Sequence, residues 1–576
     1  MAAAEGTRRR PGRPRRDGQA VGVSGRGRGR PGPAGKGGRG EQPRRGVRAG
    51  AAGVPAGLGK AFFEPIEAAA PRAPDPGLIN EDFQPTLAAD RTFSAADMAA
   101  LWVGLVVCVP TWYLAGGLVE MGMSWLQGIA TVFGEYMRPP RREERRTDYK
   151  SVGNLICLLP VLLNAQPGTK YGIPFPVLSR AVFGIYGANI PSVLRGVVAC
   201  GWFGIQTYVG GNSMMSITET VLGTKFDTAS PLAGLGISAP ELLFFSLFWS
   251  IQVAVLVRGM ESIRIVEKYS APVLIGLCAA LLLWAVSAAG GFGPMLSAPS
   301  QFAAGMPKAG QFLSAFVPAV TAQVGFWATL SLNIPDFTRF AKSQKSQLVG
   351  QMIGLPVFMA AFTFIGLAVT SATQVIFGQT ISDPVAICSR LSGGATAFAL
   401  VGLMLATLST NIAANIVGPA NAMVNLRPQN ISFKGGAVLT AVLGALLQPW
   451  RLIKSTEGFI FTWLIGYSAL LGPIVGIMIV DYYLKQGRVL DIDALYTAGP
   501  GGRYWFTGGY NLRALLSLAC GALLNVPGFL DVCGVLKANA FFQSIYSAAW
   551  FTGTLTAGAI YWALLKLPHR SSSRAS

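Results

Sequence analysis

The chain has 576 residues, 51% of them apolar and only 13% charged, with a single histidine, a balance too greasy for a soluble multidomain enzyme. Its formal charge of +20 first suggests a nucleic-acid partner, yet residues 1 to 60 carry 15 Lys and Arg against three acids, so more than half of the excess sits in that leader. The rest of the chain is modestly basic, and no nucleic-acid partner is expected.

Residues 1–90 are rich in Arg, Gly, Pro and Ala, with Arg8-Arg9-Arg10 and Gly-Arg repeats at 25–30, and are expected to be disordered. An Arg-rich, acid-poor leader fits an organelle transit peptide and hence a plastid envelope, although such peptides are usually rich in serine and this one is not. The alternatives are a solvated tail or mispredicted start on a plasma-membrane protein, and, third, an RNA-binding Gly-Arg tail.

From Met98 onward, apolar segments long enough to cross about 30 Å of hydrocarbon recur. Twelve spans are read, at 98–120, 125–133 joined to 152–164, 193–221, 239–257, 269–289, 313–333, 348–373, 395–422, 435–449, 458–480, 512–527 and 543–565. They belong to a transmembrane domain over 91–566, followed by a tail over 567–576. Loop charge checks the count, because loops on the cytoplasmic side carry the Lys and Arg excess. Every second connection is basic: Lys170 and Arg180; Arg258, Arg264 and Lys268; Arg339, Lys342 and Lys345; Arg427 and Lys434; Lys485 and Arg488. The alternate connections carry few, such as Lys225, Lys308 and Arg390, so both termini face the basic side. Most of the seven cysteines (Cys108, Cys157, Cys200, Cys278, Cys388, Cys520, Cys533) fall in apolar stretches without a CxxC pair, so neither a disulfide framework nor a zinc site is indicated.

One stretch breaks the order. Gly134–Ser151 puts six basic and four acidic residues inside the second apolar segment, where each charge at the bilayer centre costs several kcal/mol. Removing those 18 residues joins Trp125–Phe133 to Val152–Asn164 as 22 continuous and almost uncharged residues, the length of one span. The stretch therefore reads as an insertion foreign to the working helix. Gly-Glu-Tyr is encodable with a splice-donor pattern, which fits a retained intron; the alternative is an extramembrane loop between re-entrant halves.

No enzyme constellation is present: His569 lies in the C-terminal tail and the spans hold no clustered carboxylates. They do hold aromatic and amide side chains one helical turn apart. Trp202 and Gln206 stand at i and i+4 on one face of the third span. Trp327 follows Gly325 in the sixth, where a broken helix would expose backbone, and in the eighth Ser409 and Thr410 precede Asn415 by about one turn. Each has a bland reading, since membrane Trp residues often pack or sit at interfaces and Ser or Thr often bonds its own helix.

These residues lie in motifs that resemble the nucleobase:cation symporter family one. The motifs are Leu101-Trp-Val-Gly104 with Pro110-Thr111, Asn164 to Pro176, Phe183 to Pro191, Cys200 to Thr207, Asn333 to Arg339 and Asp481-Tyr-Tyr-Leu484. The likeness runs from about Phe93 to Leu565 and is nearest the plant and algal branch. It implies an all-α transporter of about twelve transmembrane helices, in which spans one to five and six to ten are inverted repeats and two more follow. It implies first and sixth helices broken near the midplane, and cation-coupled symport of nucleobases such as adenine, guanine, uracil, cytosine or allantoin-like heterocycles. By motif match Trp202 and Trp327 sandwich the base, while Gln206 and Asn415 read its edge. A sodium site maps onto carbonyls of Gly104, Val107 and Ala406 with the hydroxyls of Ser409 and Thr410. No cofactor is implied, the coupling ion is H⁺ or Na⁺, and a monomer is expected.

Stacking on an indole is worth roughly 1–3 kcal/mol per base, and an amide satisfies a lactam edge without bringing charge. Two departures limit the carry-over: the disrupted second span belongs to the fold's four-helix bundle, and Asn212 stands where many plant-branch relatives carry an acid. A transporter of another solute, such as a vitamin or amino acid, a non-transporting splice form and a receptor-like binder remain as alternatives. Deleting Gly134–Ser151 is expected to restore or raise uptake at equal surface expression. Transport by the full chain and none by the shortened one would make the insertion functional.

Overall fold

The computed structural model describes residues 64–133, 153–258, 260–391, 393–451 and 458–567. All of these lie in the unit Pro55–Ser576; Met1–Val54 is a separate unit outside them. The leader up to residue 63, the insertion Gly134–Ser151 and the tail beyond Leu567 also fall outside the described residues.

The first span is α1 (Ala95–Val106) and α2 (Val109–Glu120), bent by 56° at Val107 and Cys108. Ser94 and Asp97 form a capping box at its start. Pro110 accounts for the break: it has no N–H for the Val106 carbonyl, which accepts from Cys108 N–H at 2.9 Å instead. The second span is split into α3 (Trp125–Phe133) and α4 (Gly153–Tyr171), and both pieces pack against α9 (Phe312–Asn333) and α10 (Gln344–Phe377). A short helix absent from the sequence reading, α5 (Phe175–Phe183), is wholly buried before the third span.

Spans three to five are α6 (Asn189–Leu222), α7 (Ala239–Leu256) and α8 (Met260–Ala288). Spans six and seven are α9 and α10; a short α11 (Pro384–Cys388) leads into α12 (Gly394–Leu426) and α13 (Phe433–Leu446). Span ten is α14 (Ile465–Ile479), extended at both ends by π-helical turns, Gly458–Leu464 and Val480–Lys485. Span eleven is α15 (Leu512–Leu523) with α16 (Val526–Val532), and span twelve is α17 (Ala540–Ser547) bent by 90° into α18 (Ala549–Lys566). Among the described residues, six helices are long and apolar enough to cross alone and the two bent pairs bring the number to eight. The split second span, α6, the apolar Pro272–Ala288 part of α8, and α13 fill the other four expected positions.

The packing has the pattern of a repeat of five. Span one packs on span seven, and span six on span two; span four packs on three, and nine on eight. Spans three and eight, 34 and 33 residues long, make the most extensive helix pair in the molecule, as two elements on a pseudo-twofold axis should. Spans eleven and twelve pack together on span ten. The Asp481 carboxylate fastens them by accepting from the Tyr561 hydroxyl at 2.6 Å and from Lys485 at 2.7 Å.

One expectation is corrected: the sixth span does not break. α9 runs continuously, and Gly325 serves close packing instead, since a Cβ there would stand 1.9 Å from Ser468 Oγ and 3.1 Å from the Leu464 carbonyl on span ten. The leader is a second correction, because residues 64–90 are packed. Phe83 is fully buried, Arg339 donates to the Asp82 and Gln84 carbonyls at 2.9 Å, and Glu64 pairs with Lys170 and Arg488 at 2.9 Å each. Disorder over 64–90 would take acceptors away from the buried Arg339 and Lys170 of the basic connections. Burial, with Arg339 beside it, lowers the Arg91 pKa to about 10.

Candidate functional site

The break in span one faces span eight. The Thr410 hydroxyl donates to the Gly104 carbonyl at 2.7 Å, and a Cβ on Gly104 would sit 3.9 Å from Ser409 Oγ. Val107 and Ala406 line one cavity of about 20 Å³ together with Cys108 and Leu403. All five residues named for the cation are thus on the contact between spans one and eight. The Ser409 hydroxyl oxygen is buried and has no partner among the described residues. Carbonyls and hydroxyls without a carboxylate form a hard, weakly charged donor set, which fits a monovalent cation that must leave again.

Beside this contact lies an aromatic cluster. The Trp202 ring meets Phe326 edge-on at 5.3 Å and lies 5.9 Å from Trp463, while Trp327 meets Phe326 at 4.8 Å and Trp102 at 5.3 Å. The two tryptophans expected to sandwich a base therefore share one cluster, with Phe326 touching both. Gln206 Oε1 and the indole nitrogens of Trp327 and Trp102 are buried without a partner among those residues. Three orphaned polar groups at one junction are costly unless a ligand completes them. Asn415 is held from behind, its Nδ2 donating to Asn411 Oδ1 at 2.9 Å.

The cluster separates two unlike ends. Beyond Gln206, on the side of the poorly charged connections, Val209, Asn212, Tyr113, Tyr208, Glu241, Asp383 and Trp450 are among the residues lining a cavity of about 590 Å³. Glu241 accepts from the Tyr208 hydroxyl at 2.5 Å. Asp383, in the connection before α11, has its pKa raised by burial, against which a hydrogen bond from Tyr113 acts. Toward the basic side the described residues pack on one another through buried polar groups. Fully buried Arg195 on span three donates to the Thr329 carbonyl at 2.9 Å and to Asn333 Oδ1 at 3.0 Å on span six, and Asp336 Oδ1 accepts from Phe175 N–H at 3.0 Å.

A family profile described as "Permease for cytosine/purines, uracil, thiamine, allantoin" matches residues 85–137 and 151–553. The chain belongs to that family. It is an integral multi-pass membrane permease, not an enzyme. The purine-uracil permease NCS1 of Arabidopsis thaliana is 50% identical over 505 residues, covering 87% of this chain and 80% of that protein. An allantoin permease of Bacillus subtilis is 38% identical over 492 residues, covering 85% of this chain and 94% of the relative. Among solved structures, Mhp1, a nucleobase-cation-symport-1 family transporter in a closed conformation with bromovinylhydantoin bound, aligns with a TM-score of 0.64 at 24% identity. That alignment covers 84% of this chain and 95% of Mhp1, and places the permease in the twelve-span inverted-repeat fold. Residues 138–150, inside the charged stretch of the second span, lie between the two matched blocks.

Sequence reasoning missed Trp463, Phe326 and Asn411 in this permease. Trp463 approaches because Gly201 leaves room: a Cβ there would stand 2.4 Å from the indole. Gly201 next to Trp202 was visible in the sequence, but nothing in it named the partner. Thr410→Ala removes the hydroxyl on Gly104, a bond worth about 1 kcal/mol. Apparent cation affinity is expected to fall roughly fivefold, with poorer substrate accumulation. Uptake measured against Na⁺ and against pH checks this, and an unchanged dependence on both would remove the site from the mechanism.

Proposed function

We propose that this permease is a secondary active transporter that carries nucleobases or allantoin-like heterocycles in symport with a cation, by alternating access. The observation that carries the proposal is the junction of spans one, three, six and eight. There tryptophan rings and unpartnered amide and indole groups adjoin a carbonyl-hydroxyl set, one helical turn below an open cavity. In this reading Trp202 and Trp327 take the faces of the base, with Phe326 moving aside, while Gln206 and Asn415 read its edge. Gly104, Val107, Ala406, Ser409 and Thr410 hold the cation, which is Na⁺ or H⁺. The printed names of the Arabidopsis and Bacillus relatives, for purine, uracil and allantoin, support the substrate class.

The break in the family match at 138–150 supports reading Gly134–Ser151 as an insertion. The Arg-rich leader supports a plastid envelope, with the plasma membrane as the alternative, and a fluorescent fusion that leaves the N-terminus free distinguishes them. A monomer is sufficient for the proposed path.

Stacking tolerates substituents and paired hydrogen bonds do not, so faces and edge are separable. Trp202→Phe is expected to weaken all substrates by similar factors. Gln206→Glu replaces an NH₂ donor with an anion, and Asn415→Asp removes the Nδ2 that Asn411 Oδ1 holds in place; either change costs roughly 1–3 kcal/mol per lost bond and should reorder the bases. Competition by adenine, guanine, uracil, cytosine and allantoin against one labelled substrate reads both effects. Equal scaling in the amide variants, or reordering by Trp202→Phe alone, rejects the assignment. Displacement by an amino acid or vitamin, and not by bases, would favour another solute on the same fold.

A further inference from the structure

Asn415 does not stand alone behind the proposed base site. It ends a chain of side-chain amides that crosses three spans, and every member is buried: Thr207 on α6, Gln252 on α7, Asn411 and Asn415 on α12. The chain starts at a group of fixed polarity. The Phe203 carbonyl can only accept, and it takes the Thr207 hydroxyl proton at 2.7 Å and an Asn411 Nδ2 proton at 3.0 Å. With its proton spent, Thr207 Oγ1 is left as an acceptor, so Gln252 must turn Nε2 toward it, at 2.9 Å. Gln252 Oε1 is then left facing Asn411 and accepts from Nδ2 at 2.7 Å. Asn411 therefore has no freedom to flip. Its nitrogen faces three acceptors, the Phe203 carbonyl, Gln252 Oε1 and, at 3.3 Å, Thr207 Oγ1, and its Oδ1 must face Asn415, which answers with Nδ2 at 2.9 Å.

We infer that Asn411 is a positioning residue that sets the orientation of the Asn415 amide, so that Asn415 offers its carbonyl oxygen to the ligand and the ligand atom opposite it is an N–H. Among the described residues the side-chain hydrogen bond of Asn415 is made by its Nδ2, which leaves Oδ1 for that contact. An isolated asparagine would turn its amide to suit a lactam or an amidine edge at almost no cost. Here a flip would set Asn415 Oδ1 against Asn411 Oδ1, acceptor against acceptor in a buried site, and reversing the whole chain ends at a backbone carbonyl that cannot donate. The site therefore reads the order of donor and acceptor along the edge of a heterocycle as well as its shape.

Hypoxanthine and adenine test this, because they share a shape and present inverted donor-acceptor edges. The inference rests on Asn415 touching the base, and Asn415→Ala checks that separately: unchanged inhibition by both purines would sink the site assignment itself. In the parent, the two purines are expected to differ in inhibition of labelled-substrate uptake. Asn411→Ala frees the Asn415 amide to rotate, so their ratio should move toward one by about tenfold, a single hydrogen bond's worth. Asn411→Asp, held protonated by burial, donates its O–H to the Phe203 carbonyl and turns its other oxygen to Asn415 Nδ2, so it should retain the ratio even where uptake capacity falls. Gln252→Leu leaves Asn411 on the Phe203 carbonyl and should also retain it. Ligand-induced thermal stabilisation of purified protein gives the same ratio for variants that transport poorly. The inference is overturned by a parent indifferent to the pair, by an Asn411→Ala variant with the parental ratio, or by Gln252→Leu collapsing the ratio as Asn411→Ala does.

Discussion

Inside hydrocarbon every backbone polar group has to find a protein partner, and the first span meets that demand in an unusual way. Pro110 forces the helix to stop and restart, which turns carbonyls around Val107 away from the regular ladder. Those groups are tolerable because span eight presents hydroxyls there, with Thr410 donating to Gly104 at 2.7 Å. The same geometry that closes the accounts of a broken helix also gathers oxygen atoms at one point without a carboxylate. The oxygen set proposed for the cation and the break are one feature.

Spans three and eight hold this point in place. Their long contact brings Trp202 and Gln206 from one side and Ser409, Thr410 and Asn415 from the other, and Arg195 ties both to span six through Thr329, Asn333 and the Ala414 carbonyl. Small residues let the surrounding helices come close: a Cβ on Gly204 would stand 2.4 Å from the Gly444 carbonyl of span nine. Polar side chains are costly in a membrane protein, so their concentration on facing surfaces of three, four and eight marks where function outweighs stability.

Much of this was legible in the sequence, for physical reasons. Hydropathy and alternate loop charge give the spans, because both follow from the bilayer and not from packing. The break in the first span was implied only by the family resemblance, while the i, i+4 spacing of Trp202 and Gln206 announces a shared face. Partners across helices were not legible. Phe326 adjoins Trp327 in sequence, yet nothing local says that its ring touches Trp202. Asn411 was visible as one amide among several, and its weight comes from Phe203, Thr207 and Gln252, which only tertiary packing brings near. The ordered stretch from Glu64 was concealed by its composition: Pro and Ala suggest disorder, whereas Phe83 is buried and Glu64, Asp82 and Gln84 meet cations from distant connections.

The two ends of the molecule bear on how a cycle would be driven. On the side of the poorly charged connections a cavity lies above Gln206, and toward the basic side the described residues Arg195, Asp336 and Arg339 and the stretch 64–90 are joined by buried hydrogen bonds. Opening the basic side means breaking buried, charge-assisted hydrogen bonds, each of which is stronger than a neutral one. A substrate can shift that balance only by binding the second state better than the first. The buried groups without partners, Gln206 Oε1, Ser409 Oγ and the Trp327 nitrogen, are where such a difference can arise. They cost least when a ligand and an ion complete them together, and that shared completion is a physical basis for coupling the two.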